Sequence, residues 1–512
     1  MHNEQYLLGI DIGTQGCKSG IFDINGNLIS SVYTEYKLVT PRPGWAEQDP
    51  DWWWNAVVKN IRSLLKSSNI LPDNIVGIGI CGQMHATVPI SRDGELLSRS
   101  VLLWCDKRSA PQCEKIRKKV DEKELIKITG NLVSPSWIGP HIMWVKENTP
   151  NIYEKAYKFL TSEGYVIYKL TNKFSIDWSE ASGTYLFDIR KKTWSEELAQ
   201  ILGIDLDKLP DIYPSYEVVG EVTEEAAKIT GLKPGTPVVA GAGDFMCTLM
   251  GAGIVTEGRA ADIAGTACIV ATYTKEPIIT PKLMNLHHAI PGWIPFGITE
   301  GGGELLRWFR NNIAIPEVQE AKKRGVSPYQ VIDEKAAEVE PGAGGLITYP
   351  YPLGERPPGN VNSRVVLFGL LLSHGRAHIA RSILEGIAFV HREIADTMEE
   401  HGVKIEMFRA IGGGSKSKIW RQIKADVYGK PVALLNVTEG GILGAAVLAG
   451  VGIGIFKDPV KTIDEFVKIV EIAQPNKENH ELYNKLYQVY RKFRKTFWSL
   501  FDELAEIYKV KE

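Results

Sequence analysis

The sequence is poor in cysteine and has almost no net charge. Its 512 residues include six scattered cysteines, none in a C-x-x-C pair. This pattern predicts unpaired thiols in a reducing compartment rather than a disulfide framework. With 59 Lys and Arg against 61 Asp and Glu, the net charge is −2, so electrostatics favours neither nucleic acid nor a membrane surface. We therefore expect a cytoplasmic protein whose partners are small molecules.

Long apolar runs are also missing. Residues 238–255 and 442–456 come closest, but Asp244 interrupts the first, and the second is shorter than the ~20 residues that a spanning helix needs. We interpret each of them as a buried strand or a tightly packed Gly/Ala helix. Residues 1–6 show neither the basic nor the apolar segment of a secretory signal, so we expect no such signal.

Several common catalytic motifs are absent. The sequence contains no G-x-x-x-x-G-K-[ST] and no G-x-S-x-G, so a nucleotide site must be of another type. Residues 77–82 match G-x-G-x-x-G formally, but the glycines lie inside an apolar run and no helix is predicted after Gly82. His287 and His288 lack a further ligand at zinc spacing.

The length and the order of predicted elements indicate a duplicated α/β protein. A chain of 512 residues should form at least two domains, because single cores stop growing at roughly 250–300 residues. A strand, a hairpin, a helix and a further strand open the first half, and this order recurs in outline in the second. We predict domains at 1–245 and 246–460 and a helical tail at 461–512. The periodic aromatic helix of that tail should pack on the body, with a homodimer contact as the alternative.

Two short Gly-Asp segments carry the strongest chemical signal. Residues 9–14 deliver Asp11 into a glycine-lined turn, and residues 240–244 deliver Asp244. Glycine allows backbone to approach a phosphate closely, and a carboxylate there can hold Mg²⁺ or accept the proton of an attacking hydroxyl. The alternatives are an ordinary hairpin acid for Asp11 and a helix N-cap for Asp244.

The residues after Asp11 extend its turn. The backbone around Gly13 can face a phosphate chain, Thr14 adds a hydroxyl, and Lys18 adds a positive charge. Together they indicate one half of a phosphate-binding site.

Two further groups in the first half fit a sugar site. Gln83, Met84 and His85 follow an apolar strand, at the strand end where α/β folds bind ligands. Trp104 offers a flat face to sugar C–H groups, and Asp106 can accept hydrogen bonds from hydroxyls. The alternatives are a surface histidine and a tryptophan that anchors a loop.

The second half contains two small-residue turns. Gly265 and Thr266 lie between two apolar strands, as a counterpart of the first phosphate turn. Gly413, Gly414 and Ser417 lead from a strand into a helix, whose N-terminus favours negative charge. Glycines there allow a flat ring to approach the backbone. A plain helix cap is the alternative.

Taken together, these segments resemble the FGGY family of carbohydrate kinases, and within it the xylulose kinases. The similarity covers roughly residues 6–455. The matching segments are residues 9–14, 42–50, 82–85, 103–104 with Asp106, 129–131, 241–244, 354–356, 378–385, 412–414 with Trp420, and 443–446. Among the departures, Phe245 follows Asp244 where the family usually has an amide, and Cys105 stands where xylulose kinases tend to have Asn.

The resemblance implies two actin-like ATPase domains, with ribonuclease H-like sheets, that flank a central cleft. ATP and Mg²⁺ would be the cofactors, and a small sugar the substrate. Asp244 would be the catalytic base, and Asp11 would organise Mg²⁺ and the phosphates. The implied sugar contacts are Gln83, Met84, His85, Trp104, Asp106 and Asp244. The implied nucleotide contacts are Gly13, Thr14, Lys18, Gly265, Thr266, Gly413, Gly414 and Ser417.

For the reaction, the resemblance implies transfer of a phosphoryl group to a terminal hydroxyl of a ketose. D-xylulose, giving D-xylulose 5-phosphate, is the first choice. Ribulose, an erythritol-like polyol, glycerol and a signalling furanone stay open, although glycerol kinases resemble one another in Arg-Glu where this chain has Met84 and His85. An actin-like ATPase that acts as a chaperone or filament is the alternative of another class.

Overall fold

The computed structural model describes residues 4–265, 267–356 and 359–509. None of the described helices is long and apolar enough to cross a membrane. All six cysteines are free, and five of them are buried, as their scattered positions predict.

The first half is built on a mixed sheet with helices on its faces. Its strands are β1 (Tyr6–Ile12), β2 (Gly16–Asp23), β3 (Leu28–Glu35), β4 (Glu47–Gln48), β5 (Ile75–Gly82), β6 (Val88–Ile90), β7 (Val101–Leu102), β8 (Lys158–Leu160), β9 (Ser175–Asp177), β10 (Phe187–Asp188), β11 (Thr193–Trp194), β12 (Asp211–Tyr213), β13 (Val218–Glu221), β14 (Pro237–Val239) and β15 (Ala242–Gly243). Its helices are α1 (Pro50–Ser68), α2 (Ala110–Lys119), α3 (Glu122–Thr129), α4 (Ile138–Asn148), α5 (Pro150–Lys155), α6 (Ser162–Thr171), α7 (Trp178–Ser182), α8 (Glu196–Leu202), α9 (Glu224–Thr230) and α10 (Asp244–Gly251).

The second half has its own sheet and ends in a long helix. Its strands are β16 (Gly258–Ala264), β17 (Cys268–Thr272), β18 (Met284–His287), β19 (Trp293–Thr299), β20 (Ile347–Tyr349), β21 (Val366–Phe368), β22 (Ile405–Ile411), β23 (Val432–Leu435) and β24 (Ile469–Ala473). Its helices are α11 (Gly302–Asn312), α12 (Ile315–Arg324), α13 (Pro328–Ala337), α14 (Arg376–Glu400), α15 (Lys418–Tyr428), α16 (Gly440–Gly452), α17 (Pro459–Phe466) and α18 (Lys477–Lys509).

The two sheets repeat one topology, which confirms the predicted duplication. The first has the order β13-β14-β5-β1-β2-β3, with β15 also paired to β5, and the second has the order β18-β19-β17-β16-β22-β23-β24. In the first, β1 is antiparallel to β2 and parallel to β5. In the second, β16 is antiparallel to β17 and parallel to β22 in the same way. In each sheet the central parallel strands place their carboxyl ends at one edge, the edge at which α/β folds bind ligands.

Helix α16 belongs to the second half by sequence but packs on the first sheet. A Cβ on Gly9 of β1 would lie 2.0 Å from the carbonyl oxygen of Ile442, and one on Gly79 of β5 would lie 1.9 Å from that of Ala445. Only glycine permits so close a contact between helix and sheet backbones. The apolar run at 442–456 therefore contains a tightly packed helix, one of its two predicted forms.

The predicted C-terminal helix is present as α18. Its inner face buries Tyr483, Tyr487 and Tyr490 against the second domain, where Phe389 of α14 contacts all three rings. The prediction that this helix packs on the body is thus confirmed.

Candidate active site

Asp11 lies at the end of β1, where the sheet opens toward the cleft. It is paired with Lys18 on β2 and Cys81 on β5, and its Oδ1 is enclosed without a hydrogen-bond partner among the described residues. Burial raises the pKa of Asp11, Cys81 and Lys18 act against the rise, and Glu439 adds to it. An enclosed oxygen with an unused lone pair is suited to a hard cation.

Asp244 is the first residue of α10, directly after β15. Its Oδ1 accepts a hydrogen bond from the backbone N–H of Phe245 at 2.7 Å. Burial raises the pKa of Asp244, and the negative charge of Asp11 raises it further. The two acids that the sequence singles out therefore lie close together, because Cys81 of β5 pairs with Asp11 on one side and with Ala242, two residues before Asp244, on the other.

The turn after Asp11 is held by its neighbours. Gly13 donates its N–H to the Gly16 carbonyl at 3.0 Å, and Trp104 donates its indole N–H to the Thr14 hydroxyl at 3.1 Å. The Lys18 ammonium contacts the carboxylate of Glu439, just before α16. These contacts connect the turn after Asp11 with the Trp104 indole and with the residue before α16.

Gln83, Met84 and His85 follow β5 and are buried. A Cβ on Gly243 would lie 2.6 Å from Met84 Cγ, which places Met84 beside the residue that precedes Asp244. His85 has a positive φ of 68°, and its ring stands edge-on to Trp137 at 4.9 Å between centroids. Burial lowers the pKa of His85 to about 3, with His141 and Arg356 contributing, so its ring is neutral at neutral pH.

Glu180 is a site residue that the sequence analysis did not identify. Its Oε2 accepts the backbone N–H of His85 at 3.0 Å and lies 3.6 Å from the ring Nδ1. Gly183 completes this support, because a Cβ there would lie 2.1 Å from His85 Cε1. Burial raises the pKa of Glu180, and the nearby Glu163 and Asp177 raise it further. The only signal in the sequence was a cluster of acids before a Ser-Gly pair.

Asp106 is placed differently from its prediction as a sugar contact. It is fully buried, one oxygen accepts the N–H of Ala46 at 2.7 Å, and Arg108 binds the carboxylate from its side chain at 2.7–3.0 Å. Arg108 also pairs with Glu47 at 2.7 Å and stacks 3.6 Å from the Trp45 ring centroid. With both oxygens engaged inside the protein, Asp106 stabilises the loop that carries Trp104 instead of facing the cleft.

The two turns of the second half lie together. A Cβ on Gly412 would lie 2.8 Å from the carbonyl oxygen of Ala264, so the turn that contains Gly413 and Gly414 touches the one that contains Gly265. Ser417 caps α15 by accepting the N–H of Trp420 at 3.2 Å. A Cβ on Gly413 would meet no atom within 4 Å, whereas one on Gly414 would lie 2.6 Å from the Trp420 ring. Thr266 lies outside the described residues.

A cavity of about 780 Å³ opens beside His85 between the two domains. Trp137, which touches His85, forms part of its wall, together with Lys107, Phe296, Glu300 and Arg356. Arg356 pairs with Glu300 at 2.6 Å. Asp244 and Met84 are not part of the lining, so the cavity lies on the Trp137 side of His85 and does not contain them.

The chain matches known families along nearly its whole length. Residues 6–251 match the N-terminal domain of the FGGY family of carbohydrate kinases, and residues 260–453 match its C-terminal domain. The chain belongs to the FGGY family. It is therefore a carbohydrate kinase, a phosphotransferase that acts on an alcohol group, and the resemblance of the ordered motifs is confirmed.

Two curated relatives and one solved structure show how similar the chain is to individual kinases. The chain is 32% identical to a xylulose kinase of Bacillus subtilis over 491 residues, which is 95% of this chain and 96% of that protein. It is 29% identical to a gluconokinase of the same organism over 509 residues, 98% of each chain. The crystal structure of xylulose kinase from Rhodospirillum rubrum superposes with a TM-score of 0.90 at 28% identity and covers 97% of this chain and 100% of that one. The two-domain FGGY fold, consistent with actin-like ATPase domains, is thus confirmed.

Proposed function

We propose that this FGGY kinase transfers a phosphoryl group from ATP to a terminal hydroxyl of D-xylulose, giving D-xylulose 5-phosphate. The observation that carries the proposal is the pair of half-buried carboxylates, Asp11 and Asp244. They come from separate elements on either side of β5, where Cys81 pairs with Asp11 and with Ala242, and the charge of Asp11 adds to the burial that raises the pKa of Asp244. Phosphoryl transfer to an alcohol calls for one acid near the phosphates and another at the hydroxyl.

Asp244 is proposed as the base. In its ionised form the carboxylate would accept the proton of the sugar hydroxyl as that oxygen forms its bond to the γ-phosphorus. The bond from phosphorus to the bridging oxygen breaks, and ADP departs. Most of the rate gain in such reactions comes from positioning and charge stabilisation. The hydrogen bond from Phe245 to Oδ1 holds the carboxylate in one orientation.

Asp11 is proposed as the residue that holds Mg²⁺. Among the described residues, no group of three or more His, Cys, Asp and Glu could bind a metal ion. This suits Mg²⁺, which is commonly bound through one or two carboxylates, water and substrate phosphates. When bound, Mg²⁺ neutralises charge on the phosphates. Gly13, Thr14, Lys18 and the second-half residues Gly265, Thr266, Gly413, Gly414 and Ser417 are proposed to hold the nucleotide.

The sugar is proposed to lie along Gln83, Met84, His85 and Trp104. Gln83 supports this placement because its Oε1 is buried without a hydrogen-bond partner among the described residues. Phe245 packs against Phe296 with 5.1 Å between ring centroids, so that side of the site is apolar. Substrate hydroxyls would then bind on the His85 side, while the Phe245 side excludes water from the transfer.

A sugar acid is the second candidate substrate. Lys107 and Arg356 line the cavity and act on the Glu300 carboxylate, and the lining as a whole contains more basic than acidic side chains. Relatives include a gluconokinase at 29% identity. A carboxylate at the far end of an open-chain sugar would complement that excess charge.

A substrate panel tests the proposal. The purified chain is given ATP, Mg²⁺ and one of D-xylulose, ribulose, erythritol, glycerol or D-gluconate, and both ADP and the phosphorylated product are measured. We expect the highest kcat/KM with D-xylulose. The highest value with D-gluconate would establish the second candidate, and ADP release at one rate whatever sugar is added would contradict both.

A variant tests the base. Asp244→Asn keeps the size of the side chain and its bond to the Phe245 N–H but removes the proton acceptor. We expect kcat to fall by about 10²–10⁴-fold, with ATP affinity measured by calorimetry largely unchanged. Turnover at the wild-type level would show that Asp244 is not the base.

A further inference from the structure

Glu439 occupies the N-cap position of α16, but its side chain does not cap the helix. Within the described part of the chain, no hydrogen bond joins its carboxylate to the first N–H groups of α16, and the residues preferred at that position are Ser, Thr, Asp and Asn. The carboxylate instead contacts the ammonium of Lys18 on β2. A residue of the second half therefore reaches the phosphate turn of the first half, and capping does not explain its presence.

The contact between Glu439 and Lys18 lies beside Asp11. Lys18 is opposite Asp11 in the pairing of β1 with β2, and a Cβ on Gly441, the second residue of α16, would lie 2.5 Å from Asp11 Oδ2. Burial raises the pKa of Asp11, and the charge of Glu439 raises it further whereas that of Lys18 lowers it. Glu439 is thus part of the surroundings of the acid that is proposed to hold Mg²⁺.

Negative side chains outnumber positive ones around this contact. Lys18 and Glu439 are the charged side chains that act on Asp11, and the charge of Asp11 in turn acts on Asp244. The set contains three carboxyl groups and one ammonium group, and the N-terminus of α16 adds only about half a positive charge. A nucleotide without a metal ion brings further negative charge, so these groups disfavour its binding.

The ion pair of Lys18 and Glu439 is accessible to a ligand. The side chain of Lys18 is 30% exposed, and that of Glu439 is 29% exposed. A pair in contact with solvent contributes little to stability, so it can separate when a phosphate group binds. While the pair is intact, however, Glu439 cancels the charge that Lys18 would offer to a phosphate oxygen.

We propose that Glu439 makes nucleotide binding depend on Mg²⁺. With Lys18 neutralised by Glu439, the site binds free ADP or ATP weakly. The carboxylates of Asp11 and Glu439 favour the Mg²⁺ complex of the nucleotide, because it carries less negative charge. Glu439 acts as a specificity-determining residue in this proposal and not as a metal ligand. The inference rests on the proposed function, which places the nucleotide phosphates at the turn after Asp11.

Calorimetric titration of the full chain with ADP tests the proposal, once with Mg²⁺ and once with EDTA in its place. The measured quantity is the ratio of the Kd of free ADP to the Kd of its Mg²⁺ complex. We expect Glu439→Gln to lower this ratio by about tenfold, mainly because free ADP binds more tightly. An unchanged ratio in this variant would overturn the proposal.

Glu406→Gln is the matched control. Glu406 pairs with Lys404 on the surface and lies near the start of β22, whereas the glycine turn of the site follows the end of that strand. The substitution makes the same chemical change far from the phosphate turn, so the ratio should stay at the wild-type value. A ratio lowered equally in Glu406→Gln and Glu439→Gln would show a general effect of charge and overturn the specific role.

A double-mutant cycle tests whether the effect of Glu439 passes through Lys18. In the wild-type chain, where Glu439 cancels the ammonium, Lys18→Met should weaken the binding of free ADP by no more than about twofold. In the Glu439→Gln background the ammonium is released, and the same change should weaken it by about tenfold. Equal losses in the two backgrounds would contradict the role of the ion pair.

Asp11→Asn separates this inference from the proposed function. If Asp11 holds Mg²⁺, the variant binds the Mg²⁺ complex of ADP more weakly, and the ratio falls with Glu439 still in place. A wild-type ratio in Asp11→Asn would overturn the proposed position of the metal and this inference with it. A reduced ratio in Asp11→Asn together with an unchanged ratio in Glu439→Gln would overturn the inference alone.

Discussion

The first strands of the two halves each contain an aspartate, which is half-buried in the case of Asp11 and fully buried in that of Asp262, and the two acids have opposite surroundings. Asp11 sits one residue before the end of β1 and keeps an unpaired enclosed oxygen. Asp262 sits two residues before the end of β16. It contacts the Lys424 ammonium, and its Oδ2 accepts the Tyr428 hydroxyl at 2.5 Å and lies 3.2 Å from His391 Nδ1.

Asp11 and Asp262 differ by one position in their distance from the strand end, and this accounts for their different surroundings. Side chains alternate between the two faces of a strand, so in equivalent sheets the two acids point to opposite faces. Although burial pushes the pKa of Asp262 upward, Lys424 and His391 outweigh it and hold that pKa well below its ordinary value. Burial raises the pKa of Asp11, and Cys81 and Lys18 act against the rise without outweighing it. One acid is thereby kept available for a ligand, and the other stabilises a domain.

The largest expected effect is that of substituting Asp11, the acid of the first half. Asp11→Asn should lower kcat/KM by about three orders of magnitude, because a neutral amide binds Mg²⁺ much more weakly than a carboxylate does. The melting temperature without ligand should not fall, because the variant removes a buried, unpaired charge. Steady-state kinetics and thermal unfolding measure the two effects. Wild-type activity in the variant would show that Asp11 is not needed for catalysis.

Substituting Asp262, the buried acid of the second half, should lower the free energy of unfolding. Asp262→Asn leaves the Lys424 ammonium buried without its counter-ion, so we expect a loss of about 3–5 kcal/mol in unfolding free energy, measured by urea denaturation. Activity per folded molecule should persist. The double variant Asp262→Leu with Lys424→Met is the matched control and should lose less than either single change. A stable single variant would contradict this account of the network.

The same network predicts how stability depends on pH. The pKa of Asp262 is lower in the folded chain than in the unfolded one. Its contribution is therefore fully present above the unfolded value of about 4 and is lost as pH falls below it. Comparing unfolding free energies at pH 6 and pH 3, Asp262→Asn should show a smaller loss than the wild-type chain. Equal losses would mean that other groups dominate.

The smallest expected effect concerns Glu180, a third buried acid that supports the cleft without facing the transfer. Glu180→Gln keeps an acceptor for the His85 N–H, so the backbone stays in place and kcat should change little. We expect the KM for sugar to rise by up to about tenfold. Glu180→Ala removes the acceptor and should raise KM further. The KM for ATP is the internal control. A change confined to the KM for ATP would contradict the assigned role.

Local patterns foresaw much of the fold and of the site. The apolar strands, the glycine turns, the duplication and the helical tail follow from short-range periodicity and backbone freedom, which a single sequence reports directly. Asp11 and Asp244 were recognisable because a carboxylate in a glycine-lined turn after a strand is a local arrangement. Asp106 was misinterpreted because its partners, Ala46 and the folded-back Arg108, are set by loop packing.

The sequence alone determined the strand ends, the glycine turns and the acids within them, because these depend on neighbours along the chain. Only the tertiary structure decided which oxygens stay without partners. Glu180 reaches His85 across 95 positions of the chain, and Lys424 reaches Asp262 across 162. The pKa and the availability of a buried acid depend on such distant neighbours and on the water they exclude, and no local pattern in the sequence records them.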